Sequence, residues 1–394
     1  MQLSHPKVKW STFLKDVLIC SLGAYGGPEA HYGVFTDQMI VKKQYLTEDE
    51  LVELIALTGM LPGPSSTQTI ISIGYKVGGP LLAFLTLLVW ALPAIIIMTI
   101  FSFMYAFLAR INLDANGLRY IGPMAVGFII VAAFRIGRKV IKGYLTLFLF
   151  LAAGIITFFF RQPWVFPSVL ILGGLATAFA AKEKGIWHHV KLTPPWKYFI
   201  VFLIFAIGSY VINMFIENRV LFMFDHFYRY GYLVIGGGQV VIPYMFSDLV
   251  ETFQFMTAGE FLTGFGLVQG IPGPMFSFSA YAGGLAARDL SSLTQVLSAL
   301  AAGIGIFLPG TLLIFFVYPM WEQLKQMKGI KLSLNGITAV AGGLITTAAI
   351  ILMRESGFAL DNLLVLGLTI ALLLTKKVPA PILVILSILA GFMI

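Results

Sequence analysis

The sequence has few charged residues and almost none of the side chains that bind metals. Only 11% of its 394 residues are charged, whereas an ordinary soluble domain has about 25%. Cys20 is the single cysteine, which excludes a disulfide within the chain and a cysteine-based metal site. Of the five histidines, His188 and His189 are adjacent and lie in a polar loop. We therefore expect no metal site and no other cofactor.

Apolar residues dominate instead. Hydrophobic residues make up 58% of the chain, and its mean hydropathy is +0.90. A helix needs about 20 apolar residues to cross a hydrocarbon core of about 30 Å, and many such stretches follow one another after Phe13. The first stretch has no small-residue cleavage pattern after it, so it is interpreted as a retained span. The sequence predicts an all-α polytopic membrane protein, located in the cell membrane.

Hydropathy predicts about thirteen transmembrane segments. They lie near 13–31, 51–76, 80–108, 119–136, 142–160, 165–182, 197–216, 228–246, 260–286, 294–317, 334–353, 358–375 and 378–394. The predicted domains are an N-terminal repeat at 1–190, a linking transmembrane helix at 191–222 and a C-terminal repeat at 223–394.

Basic loops predict the orientation, because Lys and Arg concentrate on the cytoplasmic side of a membrane. A cytoplasmic N-terminus places the loops at 135–142, 182–197, 325–331 and 376–377 inside and the C-terminus outside. We expect segment 51–76 to be a crossing broken in its middle, because a re-entrant hairpin there would move the first of these loops outside. These loops and anionic lipid explain the net charge of +8, so no nucleic-acid partner is expected.

The two halves share a pattern at a shift of 210 residues. LTEDELVELIALTGMLPGPSST at 46–67 aligns without a gap with MTAGEFLTGFGLVQGIPGPMFS at 256–277, so Pro62 matches Pro272 (272 − 62 = 210). The glycine pair at 26–27 has a counterpart at 236–237 under the same shift. Seven predicted segments, an odd number, precede the second copy. The sequence therefore predicts two homologous inverted repeats, an architecture typical of secondary transporters.

Each copy contains Pro-Gly-Pro inside an apolar segment. Proline removes a backbone donor and disfavours helix at the preceding residue, and glycine relaxes the backbone limits. In a membrane, irregular backbone persists only where it is buried in protein or lines an aqueous cavity. We therefore expect helices broken at both Pro-Gly-Pro sequences, with the N–H groups of Ser65, Ser66 and Thr67 pointing at the first break.

A helix N-terminus suits an anion, because it concentrates partial positive charge and free donors. Neutral side-chain donors nearby would allow a tetrahedral oxyanion to bind without a permanent cation, and we expect one central site shared by the two breaks. Glycine and proline also make kinks and close contacts, and this alternative stays open for the glycine pairs. The candidate substrate-binding residues are Gly27, Pro28, Pro62, Gly63, Pro64, Ser65, Ser66, Thr67, Gln68, Gln239, Gln269, Pro272, Gly273, Pro274 and Ser277.

Ionisable residues within or near the spans are candidates for proton coupling, because burying their charge is expensive. They are Glu29, His31, Glu53 and Glu260. A carboxylate or imidazole at these positions could couple anion movement to protons. The alternative is that each lies in the membrane interface, solvated or paired.

At these residues the sequence resembles the chromate ion transporter family, in its long-chain two-domain form. The resemblance rests on FLKDVLICSLGAYGGPEAH at 13–31, LPGPSSTQ at 61–68 and the second-half segments GGGQVVIP and QGIPGP. It implies movement of chromate linked to the proton motive force, generally as efflux that confers resistance, with sulfate as the structural analogue. Family members usually carry Gln three residues before the first proline in both halves. Gln269 keeps this pattern, but Gly59 departs from it in the first half.

The leading hypothesis is a secondary membrane transporter that exports chromate, driven by the proton motive force. Alternatives are uptake of sulfate or another dianion and a passive anion pathway. A membrane-embedded enzyme is a remote alternative, because it needs a nucleophile with a base or a metal-binding acidic motif, and neither is found. No catalytic residue is predicted. The expected partners are the oxyanion and the lipid bilayer, and a homodimer is a further hypothesis.

Overall fold

The computed structural model describes residues 8–110, 117–162, 164–180, 192–234, 241–325 and 328–393. Across these residues the chain is helical and has no β-strand, so the all-α prediction is confirmed for them. Helices satisfy their own backbone donors and acceptors, which hydrocarbon cannot do.

The first half contains helices α1 (Trp10–Gly23), α2 (Pro28–Phe35), α3 (Glu48–Met60), α4 (Ser65–Arg110), α5 (Ile121–Val140), α6 (Tyr144–Phe159) and α7 (Val165–Ala180). Helix α8 (Trp196–Phe215) links the halves. The second half contains α9 (Arg219–Leu233), α10 (Ile242–Phe246), α11 (Ala258–Gly270), α12 (Phe278–Leu285), α13 (Ser292–Val317), α14 (Trp321–Leu324), α15 (Lys328–Ser356), α16 (Leu360–Thr375) and α17 (Ala380–Met393). Short π-helices continue α2 and α10, at Thr36–Lys42 and Ser247–Thr252.

Local geometry recurs where the sequence pattern recurs. Thr47 and Thr257 each begin a helix with a capping box to the glutamate three residues later. In such a box each residue satisfies a backbone donor of the other, so it fixes the start of the helix. Gln44 and Gln254, 210 residues apart, both have positive φ, at 54° and 49°. The chain therefore enters α3 and α11 along the same path.

Helix α4 reverses direction at a glycine pair. Gly79 has φ 76°, a conformation that favours glycine, and it separates α4a (65–77) from α4b (80–110). The two parts lie side by side, because Trp90 Nε1 donates a hydrogen bond of 3.1 Å to Thr67 Oγ1. Of the two parts of α4, only α4b is therefore long enough to cross a membrane.

Helices α3 and α4a form a hairpin with the first Pro-Gly-Pro sequence at its tip. Glu50 and Lys76 form an ion pair, and the hydroxyl oxygens of Thr58 and Thr69 are 2.9 Å apart. An unbroken helix would separate positions 50 and 76 by about 39 Å, so their ion pair requires the chain to reverse. Helix α3 alone is only about 20 Å long, which is too short to cross a hydrocarbon core of about 30 Å. The expectation of a broken crossing at 51–76 is therefore wrong.

The second half has the same hairpin between α11 and α12. Arg288 forms an ion pair with Glu260, and the hydroxyl of Tyr281 donates to the Glu260 carbonyl at 3.2 Å. The two ends of segment 260–286 therefore meet, with the second Pro-Gly-Pro sequence at the tip.

The helix that opens each half also folds back on its successor. In the first half, Asp16 of α1 accepts a hydrogen bond of 2.8 Å from Gln38, on the π-helix after α2. In the second half, Asp248 on the matching π-helix accepts a bond of 2.9 Å from Tyr230 of α9. The chain therefore reverses between these helices. The predicted crossings that fold back are those at 13–31, 51–76, 228–246 and 260–286.

Apolar helices surround these hairpins. Among the described residues, five helices are long and apolar enough to cross a membrane: α4, α5, α8, α13 and α15. Four shorter apolar helices are α6, α7, α16 and α17. Helix α15 packs against α5, α6 and α7, and α13 packs against α9 and α12.

Paired cysteines at positions 50 and 76 test the first hairpin. In a Cys20→Ala background, we expect a short bifunctional thiol reagent to join the double variant Glu50→Cys/Lys76→Cys, because the native side chains form an ion pair. Mass spectrometry of the digested protein detects the link. The control variant Glu50→Cys/Leu61→Cys holds its cysteines about 16 Å apart along α3 and should stay unlinked. A linked control with an unlinked test pair would contradict the hairpin.

Candidate functional site

The first break lies between α3 and α4a. The N–H of Gln68 donates to the Pro64 carbonyl at 2.9 Å, so the N–H groups of residues 65–67 precede the first helical hydrogen bond. Gly63 has φ 131°, and a Cβ atom there would lie 2.6 Å from Gln68 Nε2 and 3.0 Å from the Gly310 Cα. Glycine is therefore required both by the turn and by the close approach of the second half.

The second break resembles the first, but the helix that follows it begins with a 3₁₀ turn. Gly273 has φ 105°, and a Cβ atom there would lie 2.9 Å from the Cβ of Ala94 in the first half. The N–H of Ser277 donates to the Pro274 carbonyl at 2.9 Å, which forms a 3₁₀ turn. The N–H groups of residues 275–276 therefore precede the first helical hydrogen bond at this tip.

Each break is joined to the opposite half by a backbone hydrogen bond. The N–H of Gly63 donates to the Val234 carbonyl at 2.6 Å, and the N–H of Gly273 donates to the Ala24 carbonyl at 2.8 Å. Val234 directly follows α9, Ala24 directly follows α1, and the two are 210 residues apart (234 − 24). The bonds are therefore equivalent, and they bring both breaks to the ends of the two opening helices.

Trp90 of α4b contacts both breaks. Its indole N–H donates to Thr67 in the first break, and its carbonyl accepts a bond of 2.8 Å from Ser21 Oγ. The same carbonyl is 3.8 Å from the position of a Cβ atom on Gly273 in the second break. The side chain is fully buried. Trp90 thus lies near both breaks, with its side chain toward the first and its backbone toward the second.

His31 and Ser66 lie beside this tryptophan. His31 Nδ1 and Ser66 Oγ are 2.9 Å apart, and the imidazole meets the Trp90 ring edge to face at 5.3 Å. His31 is 1% exposed, and within the described ranges its Nε2 has no hydrogen-bond partner. One ring nitrogen beside the first break is therefore open to a ligand.

The second break has a different set of side chains. The positions that match the histidine and serine are Val241 and Phe276, which are apolar. Ser277 and Ser279 are buried there, and neither hydroxyl oxygen has a partner in the part of the chain that the structure describes. The second half therefore offers hydroxyl groups and no imidazole.

The glutamines expected to bind substrate differ in their roles. Gln68 Nε2 donates to the Pro62 carbonyl at 2.8 Å and to the Gly310 carbonyl at 3.2 Å, so both amide hydrogens already brace the first break. Gln269 is buried, and its Nε2 is 3.4 Å from a carbonyl one turn earlier in α11. Gln239 lies outside the described residues.

Gly27 and Pro28 form the start of α2. Gly27 precedes the helix with φ 95°, and Pro28 is its first residue. The N–H of His31 donates to the Gly27 carbonyl at 3.1 Å, which places the imidazole one turn into the helix. The side chain of Glu29 lies outside the described residues.

Glu53 and Glu260 are engaged in contacts away from the breaks. Glu53 pairs with Lys325, about 12 Å along α3 from the first break. Glu260 pairs with Arg288, and its other carboxylate oxygen accepts a bond of 2.8 Å from the Thr257 N–H. Both carboxylates therefore have partners that hold the outer ends of the hairpins.

Sequence reasoning named Ser279 as a hydroxyl donor at the second break but missed Trp90 and Ser21. A usable signal existed for the tryptophan, because a buried indole N–H needs an acceptor and an apolar span offers few. Ser21 gave no such signal, because its contact with the Trp90 carbonyl joins residues 69 positions apart.

A groove on the described surface lies away from both breaks. A groove of about 640 Å³ runs between α5, α6 and α15, and none of its lining residues belongs to either break. Apolar side chains such as Phe134, Phe150 and Met353 line it. Its chemistry suits a lipid chain rather than an anion.

Alanine substitutions at the break glycines test how tightly the tips are packed. Gly63→Ala and Gly273→Ala should each destabilise the protein by about 1–3 kcal/mol, because a side chain there is strained and meets the opposite half. Thermal unfolding in detergent measures this. Gly59→Ala is the matched control in α3, because nothing lies within 4 Å of its added Cβ, and it should be neutral or stabilising. Equal stability of all three variants would contradict this packing.

Comparison with known proteins gives a consistent family. The family described as "Chromate transporter" matches residues 11–179 and 221–392. A probable chromate transport protein of Synechococcus elongatus is 26% identical over 392 residues, covering 98% of this chain and 96% of that protein. The chromate transport protein of Cupriavidus metallidurans is 25% identical over 380 residues, covering 91% and 87%. No solved structure matches. Since the family match covers most of both halves, the chain belongs to the chromate transporter family.

Proposed function

We propose that this chain is a secondary transporter that exports chromate, driven by the proton motive force. The observation that carries the proposal is that each helix break is joined to the opposite half, by the equivalent bonds of Gly63 and Gly273. Such breaks at the contact of two repeats are where secondary transporters bind their substrates. The names of the relatives, chromate transport proteins, supply the choice of anion.

The anion binds between the breaks in this proposal. The N–H groups of residues 65–67 and the partial positive charge of the helix start attract it. The Thr67 oxygen accepts the Trp90 N–H, so its own hydrogen is directed to another acceptor, the substrate. Ser277 supplies a buried hydroxyl from the other half. Gln68 holds the first break in shape and does not contact the anion.

His31 is the proton-coupling candidate that lies closest to this site. It is buried beside Ser66, and its Nε2 is free to hold a proton or to donate to the anion. A protonated imidazole would add a charge-assisted donor, which is about twice as strong as a neutral one. The charge on His31 is therefore linked to the strength of anion binding.

We further propose nine crossings and four re-entrant hairpins, arranged as two inverted repeats. The crossings are α4b, α5, α6, α7 and α8, then α13, α15, α16 and α17. Five crossings precede the second half, and five is odd, so the halves remain inverted. The N-terminus stays cytoplasmic and the C-terminus outside, with all four basic loops inside. In each half, two predicted crossings become hairpins. The number of crossings before each basic loop therefore falls by an even number, and every basic loop keeps its side of the membrane.

The variant Thr67→Ala tests the site. A hydrogen bond to a charged group contributes about 1.5–3 kcal/mol, so we expect chromate transport to fall by about 10-fold to 100-fold. Uptake of labelled chromate into inside-out vesicles, with and without an imposed proton gradient, measures it. Thr67→Ser keeps the hydroxyl and should keep transport, while Gln269→Ala tests the family position in the second half.

Each result has a clear meaning. Gradient-dependent chromate uptake that sulfate inhibits and that Thr67→Ala abolishes would support the proposal. Sulfate uptake into right-side-out vesicles without chromate export would favour the uptake alternative. Equal transport by the native protein and both alanine variants would show that the substrate does not bind at the breaks.

A further inference from the structure

Two π-helices occupy equivalent places in the two halves, at Thr36–Lys42 and Ser247–Thr252. Such helices are rare and often occur at functional sites. Gln38 in the first and Asp248 in the second are 210 residues apart (248 − 38), and both are buried. Each faces the opening helix of its own half. The same place therefore carries an amide in one half and a carboxyl group in the other.

The first-half cluster is complete around the carboxylate of Asp16. Gln38 Nε2 donates to Oδ1 at 2.8 Å, and the Tyr45 hydroxyl donates to Oδ2 at 2.6 Å. Lys43 Nζ lies 3.3 Å from Oδ1. Both oxygens have donors and a cation lies beside them, so the charge of this buried carboxylate is compensated.

The second-half cluster is incomplete around Asp248. The Tyr230 hydroxyl donates to Oδ2 at 2.9 Å. The residue is 2% exposed, and its Oδ1 is buried with no partner in the described part of the chain. A buried carboxylate with an open oxygen is costly, whereas a proton on that oxygen removes the charge.

The charges near Asp248 leave one negative charge unmatched. Arg229, the nearby cation, forms an ion pair with Asp225. Asp225 also accepts hydrogen bonds from Ser209 at 2.9 Å and Asn213 at 3.3 Å, both on α8. Two carboxylates therefore share one guanidinium, and one proton makes the cluster neutral.

Other titratable groups near this cluster do not supply a second cation. His226 Nδ1 is 3.0 Å from the Phe222 carbonyl and 3.7 Å from Asp225 Oδ2. The Tyr244 ring packs on Tyr230 with centroids 5.0 Å apart. On the same π-helix, Glu251 is paired with Arg161, which extends from the end of α6. Tyr228 and Tyr232 are further titratable groups on α9, and neither is a cation.

Tyr230 connects Asp248 to the first break. It lies one helical turn, about 6 Å, before Val234, whose carbonyl accepts the Gly63 N–H. A neutral carboxyl group is a weaker acceptor than a carboxylate, so protonation weakens the Tyr230 bond. The change therefore acts on the helix end that holds the break.

We propose that Asp248 binds one proton in each transport cycle and couples the proton gradient to movement of the anion. This rests on the proposed function and adds a proton site distinct from His31. The carboxylate takes a proton from water on one side, becomes a neutral carboxyl group, and returns the proton to water on the other side. No other bond forms or breaks.

The variant Asp248→Asn tests the proposal in proteoliposomes. It keeps the acceptor for Tyr230 but cannot titrate. We expect gradient-driven accumulation of labelled chromate to fall to the level without a gradient, while exchange of labelled for unlabelled chromate at equal pH continues. The matched control Asp16→Asn, at the complete cluster, should keep the ratio of the two rates. Gradient-driven accumulation by Asp248→Asn, or accumulation driven by sodium ions in the native protein, would overturn the proposal.

Infrared spectroscopy of the purified protein tests the proton site without transport. We expect the C=O band of a protonated carboxyl group to persist above the usual pH range of an aspartate and to disappear as the pH rises further, to be absent in Asp248→Asn and to remain in Asp16→Asn. In Tyr230→Phe the titration should move to higher pH, because the carboxylate loses its donor. A titrating band in a native protein that moves no chromate would retain the proton site and reject the proposed function. An unchanged band in Asp248→Asn would reject the proton site.

Discussion

The arrangement of this protein depends on two backbone N–H groups that have no partner within their own half. Hydrocarbon contains no water to accept them, so the breaks at Gly63 and Gly273 need protein acceptors. Each finds its acceptor at the end of the opening helix of the opposite half, at Val234 and Ala24. Neither half can satisfy its own break. The two halves are therefore a single structural unit, and each break keeps its acceptor only when both are folded.

Local chemistry made the helices, their caps and their breaks predictable, but not their directions. The Pro-Gly-Pro sequences break the helices as expected, and Thr47 caps α3 through contacts three residues away. Hydropathy measures apolar length and carries no information on reversal, which contacts across the hairpin such as that of Glu50 with Lys76 reveal. The distribution of Lys and Arg could not reveal the reversals, because losing two crossings in one half leaves the basic loops on the same side of the membrane. Ser21 escaped notice for the same reason, since its contact with the Trp90 carbonyl joins distant parts of the chain.

The two halves keep one backbone and differ in chemistry. The first half places His31 and Trp90 beside its break, and its π-helix carries an amide. The second half has apolar residues beside its break, and its π-helix carries the carboxyl group of Asp248. Equivalent positions thus hold neutral donors in one half and an acidic group in the other. A duplicated scaffold can in this way carry different chemistry at equivalent positions without any new fold element.

Helix α8 joins the halves, yet none of its residues is buried. Its outer side chains contact lipid, where many apolar residues are equivalent. Packing against other helices therefore restricts the residue type little at these positions. Ser209 and Asn213 are the exception, because they hold Asp225. Sequence variation among relatives should therefore be broad along this helix, with small polar residues retained one turn apart. That pattern would indicate that α8 serves to connect the halves and that its residue types matter only at the contact with Asp225.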